Sequence, residues 1–310
     1  MTPISVPSVD VKSVLVASGF SAESDKPVRH ALAIARHYGA QFYVAHVAAP
    51  HRYSIGCAGA VRSAIDTTRR DSEQLNQELL QSGALDSLRH EFIVREGDPW
   101  AVLKQIIREK QVDLLVIGTH TSQTLDKSQL GSTAGEIFRH ADCPVLTVGS
   151  VSDEDSPTQL DQGFNTLLFV TDFGAASSHA LPYAVSFANH VDAKLTLLHV
   201  LPTVPTPEGF SWSVTTKDVT QMRENARSAT LARLEELISK QAPLNISPEF
   251  IVEFGMAEGQ ILYAAQIHKA DVIILGLDRS AHIDAASYLP WATAYQVVTG
   301  ADCPVLTIRN

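Results

Sequence analysis

Short apolar runs alternate with longer segments whose apolar residues recur at helical spacing, and the alternation runs through the chain twice. In the first half, VKSVLVAS (11–18), AQFYVAHVA (40–48), LRHEFIVRE (88–96), VDLLVIGTH (112–120) and PVLTVG (144–149) read as strands. Between them the spacing predicts helices over 25–39, about 61–82, 99 to about 110, and 132–140. Gly39 closes the first helix as a C-cap signal. Asp98-Pro99 open the third, where the missing N–H of proline costs nothing. The unbroken apolar run after Asp113 fits burial on both faces, as in a parallel sheet. The second half repeats this order, with strands over 164–172, 193–201, 247–255, 270–278 and 304–310. Its helices are expected over 178–190, about 217–240, 257–268 and about 290–298.

The repetition is literal in places. EFIV stands at 91–94 and 249–252, VDLLVIG at 112–118 answers ADVIILG at 270–276, and ADCPVLT recurs at 141–147 and 301–307. The offsets are 158, 158 and 160, so the copies stay nearly in register. A period of that length is a whole domain, not a solenoid repeat. The expected organisation is domain 1 over 1–149, an acidic linker SVSDEDSPTQLDQG over 150–163, and domain 2 over 164–310. Strands alternating with helices imply right-handed crossovers and an α/β fold.

Composition changes this picture little. The chain has 310 residues, 45% of them apolar, and a net charge of −10. That balance argues against a nucleic-acid partner, which a basic face would serve. Three cysteines, Cys57, Cys143 and Cys303, do not suggest a disulfide framework. The opening MTPISVPSVDVKS lacks a signal-peptide pattern, and no apolar run approaches the ~20 residues of a membrane span. A cytoplasmic location with no membrane partner is the expectation.

Candidate chemistry sits beyond the fourth strand of copy 1, at the strand ends where open α/β sheets bind ligands. Gly118 is followed by Thr119, His120 and Thr121, then nine residues, then Gly131-Ser132-Thr133 at a helix start. Glycine lets backbone approach a phosphate, and hydroxyls with helix N–H groups suit an anion. The plainer reading is a capped helix with no ligand. His46 and His199 occupy equivalent positions near the ends of the second strands and read as hydrogen-bonded structural residues. His120, His51 and Arg52 could reach the same mouth, but surface roles suffice for them. No Cys/His spacing suits zinc, so no metal cluster is expected. Met222, Ala226, Ala229, Leu234 and Leu237 suggest an apolar stripe packing on the sheet of copy 2.

The series strand-Gly, loop, Gly-Ser, helix, CPVLTV resembles the universal stress protein family, as do the turns SGFS (18–21) and TDFG (171–174). The resemblance covers nearly the whole chain, twice. It implies two tandem doubly wound, Rossmann-like domains, each with a five-stranded parallel sheet, and a stress-response role. Nucleotide-binding members carry G-x2-G-x9-G-[ST] after the fourth strand and an Asp after the first. Copy 1 matches at Gly118, Gly131 and Ser132, with Thr121 at the second glycine and Gly19 in place of the Asp. Copy 2 has Asp172, for which a turn or N-cap role is the alternative, but Leu277-Asp278-Arg279 follow Gly276. There, SYLPW is expected to fill the loop, with Trp291 and Ala292 opposite Gly131 and Ser132.

The expectation is therefore a stress-response or regulatory protein with at most one adenine-nucleotide site. It would lie in copy 1, on Gly118, Thr121, Gly131, Ser132 and Thr133, with Asp172 a doubtful member in copy 2. Two alternatives stand: an ATP-binding member with slow hydrolysis, and a ligand-free module for a protein partner not identified by sequence. No nucleophile–base pair is positioned by sequence, so nothing beyond weak ATP hydrolysis is expected. The strands PVLTV (144–148) and PVLTI (304–308) are expected to pair as an intrachain pseudo-dimer, leaving room for a homodimer through a helix face.

Overall fold

A computed structural model describes residues 10–19, 25–48, 58–119, 129–149, 164–203, 216–241, 245–278 and 288–310. It divides into two compact units, one built on Asp10–Gly163 with Val298–Arg309 and the other on Phe164–Val297.

In the first unit the apolar runs become β1 (Ser13–Ala17), β2 (Gln41–Ala48), β3 (His90–Glu96), β4 (Leu114–Gly118) and β5 (Val145–Val148). The helices are α1 (Asp25–Tyr38), α2 (Ala58–Gln81), α3 (Pro99–Glu109) and α4 (Ser132–His140). The strand order β3-β2-β1-β4-β5 is parallel throughout, with Ala17 level with Ala45 on one side and Ile117 on the other. β1 and β4 are buried on both faces up to their last residue, which is why their sequences are apolar without alternation. Leu15, Leu115, Ile106 and Ile137 join β1, β4, α3 and α4 in one core. Each such side chain contributes about 2 kcal/mol on burial. Gly39 ends α1 in the left-handed region at φ 61°, and Asp98 caps α3 by accepting from the Ala101 N–H at 2.9 Å.

β10 (Val305–Arg309) belongs to this unit as well and runs antiparallel beside β5. Val305 is level with Thr147, Leu306 with Leu146 and Thr307 with Val145, so the two PVLT strands pair with each other. The Arg309 guanidinium donates to the Phe138 carbonyl at the end of α4.

The second unit holds β6 (Thr166–Val170), β7 (Lys194–Leu201), β8 (Glu249–Phe254) and β9 (Val272–Leu277), in the parallel order β9-β6-β7-β8. Its helices are α5 (Ala175–Val191), α6 (Thr216–Ser239), α7 (Ala257–Ile267) and the start of α8 (Tyr288–Gly300).

Two expectations need correction here. On α6, Met222 is 60% exposed and Ala226 and Ala229 are exposed too; Leu234 is buried and Leu237 only half-buried. The inward face is instead Val219, Arg223, Arg227, Thr230, Leu234 and Ile238. Arg223 and Arg227 fit it because their guanidinium groups lie 5.8 and 5.5 Å from the Phe254 ring centroid. A delocalised cation on an aromatic face is buried at far lower cost than a bare charge. The second correction concerns Tyr288–Trp291, which form the first turn of α8 and not a loop. Pro290 is compatible with that turn, where no helical N–H bond is required of it.

Candidate functional site

Both units reverse strand order beside their first strand, between β1 and β4 and between β6 and β9. Crevices beyond the carboxyl ends of such strands are the usual ligand positions of this architecture.

In both units an aspartate clamps the opposite end of the first strand. One Asp113 carboxylate oxygen accepts from the N–H groups of Lys12 at 2.9 Å and Ser13 at 3.0 Å. Asp271 repeats this with Asn165 at 2.7 Å and Thr166 at 2.8 Å. Sequence reasoning passed over this pair, although the recurring Asp inside VDLLVIG and ADVIILG was the available signal. The clamp registers the first strand against the fourth and so sets the level of the crevice.

In the first unit β4 ends at Gly118, level with Val148. Thr119 is buried; its N–H donates to the Val148 carbonyl at 3.0 Å and its carbonyl accepts from Gly131 N–H at 3.0 Å. The end of β4 and the start of α4 are thereby tied together at the neck of the intervening loop. Gly131 is the N-cap of α4 and supplies no side-chain hydrogen bond to it. The first-turn N–H groups of a helix have no intrahelical acceptor, and the helix dipole adds positive potential there. Gly118, Gly131, Ser132 and Thr133 are thus gathered at one helix start, with Ser132 exposed and Thr133 half-buried. The backbone-only cap and the small residues around it meet the steric and electrostatic needs of a phosphate-bearing ligand. Thr121, His120, His51, Arg52 and Cys57 lie outside the described residues.

His46, on β2, has its Nδ1 2.8 Å from the Ser18 carbonyl just past the end of β1, which requires the proton on Nδ1. Burial lowers its pKa from the ordinary 6.5. His199 makes the same bond to the Thr171 carbonyl at 2.7 Å. Both act as braces between the end of a first strand and the second strand. Cys143 is buried, and burial pushes its thiol up to about 12, so it is no nucleophile at neutral pH.

The equivalent crevice of the second unit is built differently. Asp172 accepts from the Gly174 N–H at 2.8 Å and from the Ser177 hydroxyl at 2.7 Å through the same oxygen. Its carboxylate is occupied in shaping the turn into α5. Thr171 extends the network, donating to Ser177 Oγ at 3.1 Å and accepting from Phe173 N–H at 2.9 Å. Phe173 is held at φ 60°, a conformation that bulky residues rarely adopt. Its ring lies 4.6 Å from the His199 ring, and the Arg233 guanidinium lies 4.0 Å from its centroid. Phe173 and Arg233 were not marked by sequence, because no motif joins positions so far apart in the chain.

Gly276, the partner of Gly118 in the repeat, is also in close contact. A β-carbon added there would lie 2.3 Å from the Ala176 carbonyl oxygen and 2.5 Å from Ser177 N. The strand end packs directly on the first turn of α5. Finally, Ser132 begins α4, whereas its counterpart Ala292 is the fifth residue of α8, which starts at Tyr288. The helix start is displaced by about 6 Å along its axis, and Trp291 lies inside the helix where Gly131 is a cap. These residues do not fit a phosphate-bearing ligand in the manner of the first unit.

Among the described residues, no group of three or more His, Cys, Asp or Glu side chains is placed to hold a metal ion. None of the described helices is long and apolar enough to cross a membrane.

This duplicated architecture, two doubly wound α/β units with a glycine-capped helix at one crevice, defines a tandem Rossmann-like protein. The model of the universal stress protein family matches residues 10–149 and 163–309, and the chain belongs to that family. It is 30% identical over 131 residues to universal stress protein G of Escherichia coli O157:H7, covering 40% of this chain and 88% of that protein. A universal stress protein of Methanocaldococcus jannaschii is 22% identical over 138 residues, covering 44% of this chain and 81% of its own length. The crystal structure of a universal stress protein from Archaeoglobus fulgidus shares the fold across both copies. It superposes with a TM-score of 0.68 at 18% identity, covering 96% of each chain.

Proposed function

We propose that this chain is a cytoplasmic stress-response regulator in which the first copy alone holds an adenine nucleotide. Its phosphates would lie against Gly118, Thr121, Gly131, Ser132 and Thr133, and the second copy serves as a ligand-free structural partner. The observation that carries this reading is the difference between the two helix starts. α4 begins on a glycine with no side-chain cap, tied by backbone to the end of β4. α8 begins a turn earlier and has Trp291 within that turn. A bound nucleotide would supply a polyanion to the α4 start; the residues bind and orient it.

The test is mass spectrometry of ligand released from the purified, denatured protein, followed by calorimetric titration with ATP. Binding by the parent chain, its loss in Gly131→Trp and its survival in Asp172→Ala are expected. Unchanged affinity in Gly131→Trp would place the ligand elsewhere. No binding by the parent chain would favour the ligand-free interaction module.

A further inference from the structure

Two arginines share one aromatic ring at the carboxyl end of β8. Phe254 closes that strand, and the guanidinium groups of Arg223 and Arg227 on α6 lie 5.8 and 5.5 Å from its ring centroid. All three residues are half-buried. Among the described residues, no carboxylate forms an ion pair with either arginine. Glu224 on α6 is exposed, and Glu253, the residue before Phe254 on β8, points to the other face of the sheet. Two like charges are therefore held together without a counter-charge. The ring offsets part of the cost of burying them, but it accepts few of the N–H donors that two guanidinium forks present. One of these, the Arg223 Nε–H, is buried and finds no acceptor among the described residues. Buried donors are rarely left so, and a site for an ion is one of the few reasons for it.

The repeat shows that the excess charge belongs to copy 2. α2 and α6 each have 24 residues and stand at the same offset of 158 as the two EFIV strands. Arg223, Arg227 and Phe254 therefore answer Ile65, Arg69 and Glu96, and Met256 answers Asp98. Copy 1 has one arginine and two carboxylates at these positions; copy 2 has two arginines and no carboxylate. Asp98 caps α3, whereas Met256 gives α7 no side-chain cap. The dipole of α7 thus adds uncompensated positive potential at the same strand end. Three positions differ, and all three move the charge the same way. In a chain of net charge −10 that runs against the overall balance.

We propose that Arg223 and Arg227, sharing the Phe254 ring, bind the phosphoryl group of a small phosphomonoester. Two guanidinium charges match the dianion, whereas a carboxylate would neutralise only one of them. Planar forks suit such an oxyanion through paired N–H···O bonds, and the shared ring restricts the forks before the ligand arrives. Because the three residues are half-buried between helix and strand, the corner receives one small group and not an extended acidic polymer. It lies at the carboxyl end of a strand, as ligand sites in open α/β sheets do. β7 separates β8 from the β6–β9 crevice, so the site is distinct from that crevice. The second copy is then free of nucleotide in its crevice but not of every anion. With two charged contacts alone, affinity for phosphate itself is on the order of 1 mM, too weak to register in an ATP titration at micromolar ligand.

NMR spectra of the arginine Nε–H groups of the full chain, titrated with inorganic phosphate at about pH 8 where it is dianionic, read the site directly. Arg223→Gln and Arg227→Gln assign the two signals. In the parent chain both should shift saturably, and phenyl phosphate should bind at least as tightly as phosphate. Each single variant should weaken binding, read at the remaining arginine, about tenfold or more. Met256→Asp returns a carboxylate to the corner and a cap to α7. It should weaken phosphate binding without lowering the melting temperature, which separates lost binding from lost fold. Arg69→Gln, the counterpart in copy 1, should leave both shifts unchanged. Signals that move no further than with sodium chloride at equal ionic strength would overturn the proposal, as would an Arg223 response unaltered by Arg227→Gln. Tighter binding of a poly-glutamate peptide than of phenyl phosphate would overturn it too, assigning the corner to an acidic protein segment.

Discussion

Gly276→Ala should destabilise the second unit out of proportion to the methyl group it adds. The β-carbon would lie 2.3 Å from Ala176 O, 2.4 Å from Ala176 C and 2.5 Å from Ser177 N. Ordinary carbon–oxygen contact is about 3.5 Å, so β9 and α5 must part by roughly 1 Å. All three atoms are backbone, so no rotamer change or side-chain truncation at Ala176 relieves the clash. Overpacking of this kind costs about 1–3 kcal/mol and occasionally more. The reduced freedom of the unfolded chain returns only about 0.4–1 kcal/mol. The upper end of the range, ~3 kcal/mol, corresponds to a fall of about 6–12 °C in melting temperature for a domain of this size. Gly259→Ala is the matched control, because its β-carbon meets nothing within 4 Å. In the helix it should stabilise by about 0.5–1 kcal/mol. Differential scanning calorimetry at low protein concentration measures both. A melting temperature for Gly276→Ala equal to that of the parent chain would show that the strand end does not pack on α5 as described.

Three further outcomes follow from single side chains. Asp271→Ala strands the Asn165 and Thr166 N–H groups and should cost about 1–3 kcal/mol, read as a lower urea midpoint. The folded state depresses the His46 pKa below 6.5, so its contribution to stability is present above that pH and is lost as pH falls through the folded value. The parent chain should therefore lose stability as pH falls below 6.5, and urea titrations of His46→Gln should show a shallower loss. Met256→Asp restores the cap that Asp98 provides in copy 1; it should stabilise the second unit by about 0.5–2 kcal/mol, read as a higher melting temperature.

The strands and most helices were legible because their signals are local. Periodicity, Gly39 and Asp98-Pro99 mark α1 and α3 within a residue or two. What sequence obscured depends on contacts between distant positions. Arg223 and Arg227 broke the apparent apolar stripe of α6 because an aromatic ring at Phe254, nearly 30 residues on, accepts them. The early start of α8 was hidden by Pro290, which reads as a breaker but is harmless in a first turn. At the candidate site, the grouping of Gly118 with Gly131 and Ser132 follows from spacing alone. The engagement of Asp172 with Gly174 and Ser177 was visible only as one of two open readings.

The two copies serve as controls for each other, since the same backbone positions carry different side chains. Where they agree, as in the Asp113 and Asp271 clamps and the His46 and His199 braces, the shared task is holding the first strand in place. Where they differ, two surfaces stand out. At the crevice, copy 2 has Asp172, Phe173 and Arg233 engaged with its own chain, and its helix starts a turn earlier than α4. On the helix after the third strand, charged and paired residues in copy 1 face uncharged Met256, Tyr263 and Ile267 in copy 2. Changes needed only for folding would be spread over the core, yet the core positions of β4 and β9 remain apolar in both copies. By this logic, Gly131→Trp should abolish nucleotide binding by the whole chain, whereas Asp172→Ala, in the crevice of copy 2, should leave the calorimetric affinity unchanged; a fall in affinity with Asp172→Ala would show that the second crevice also takes ligand.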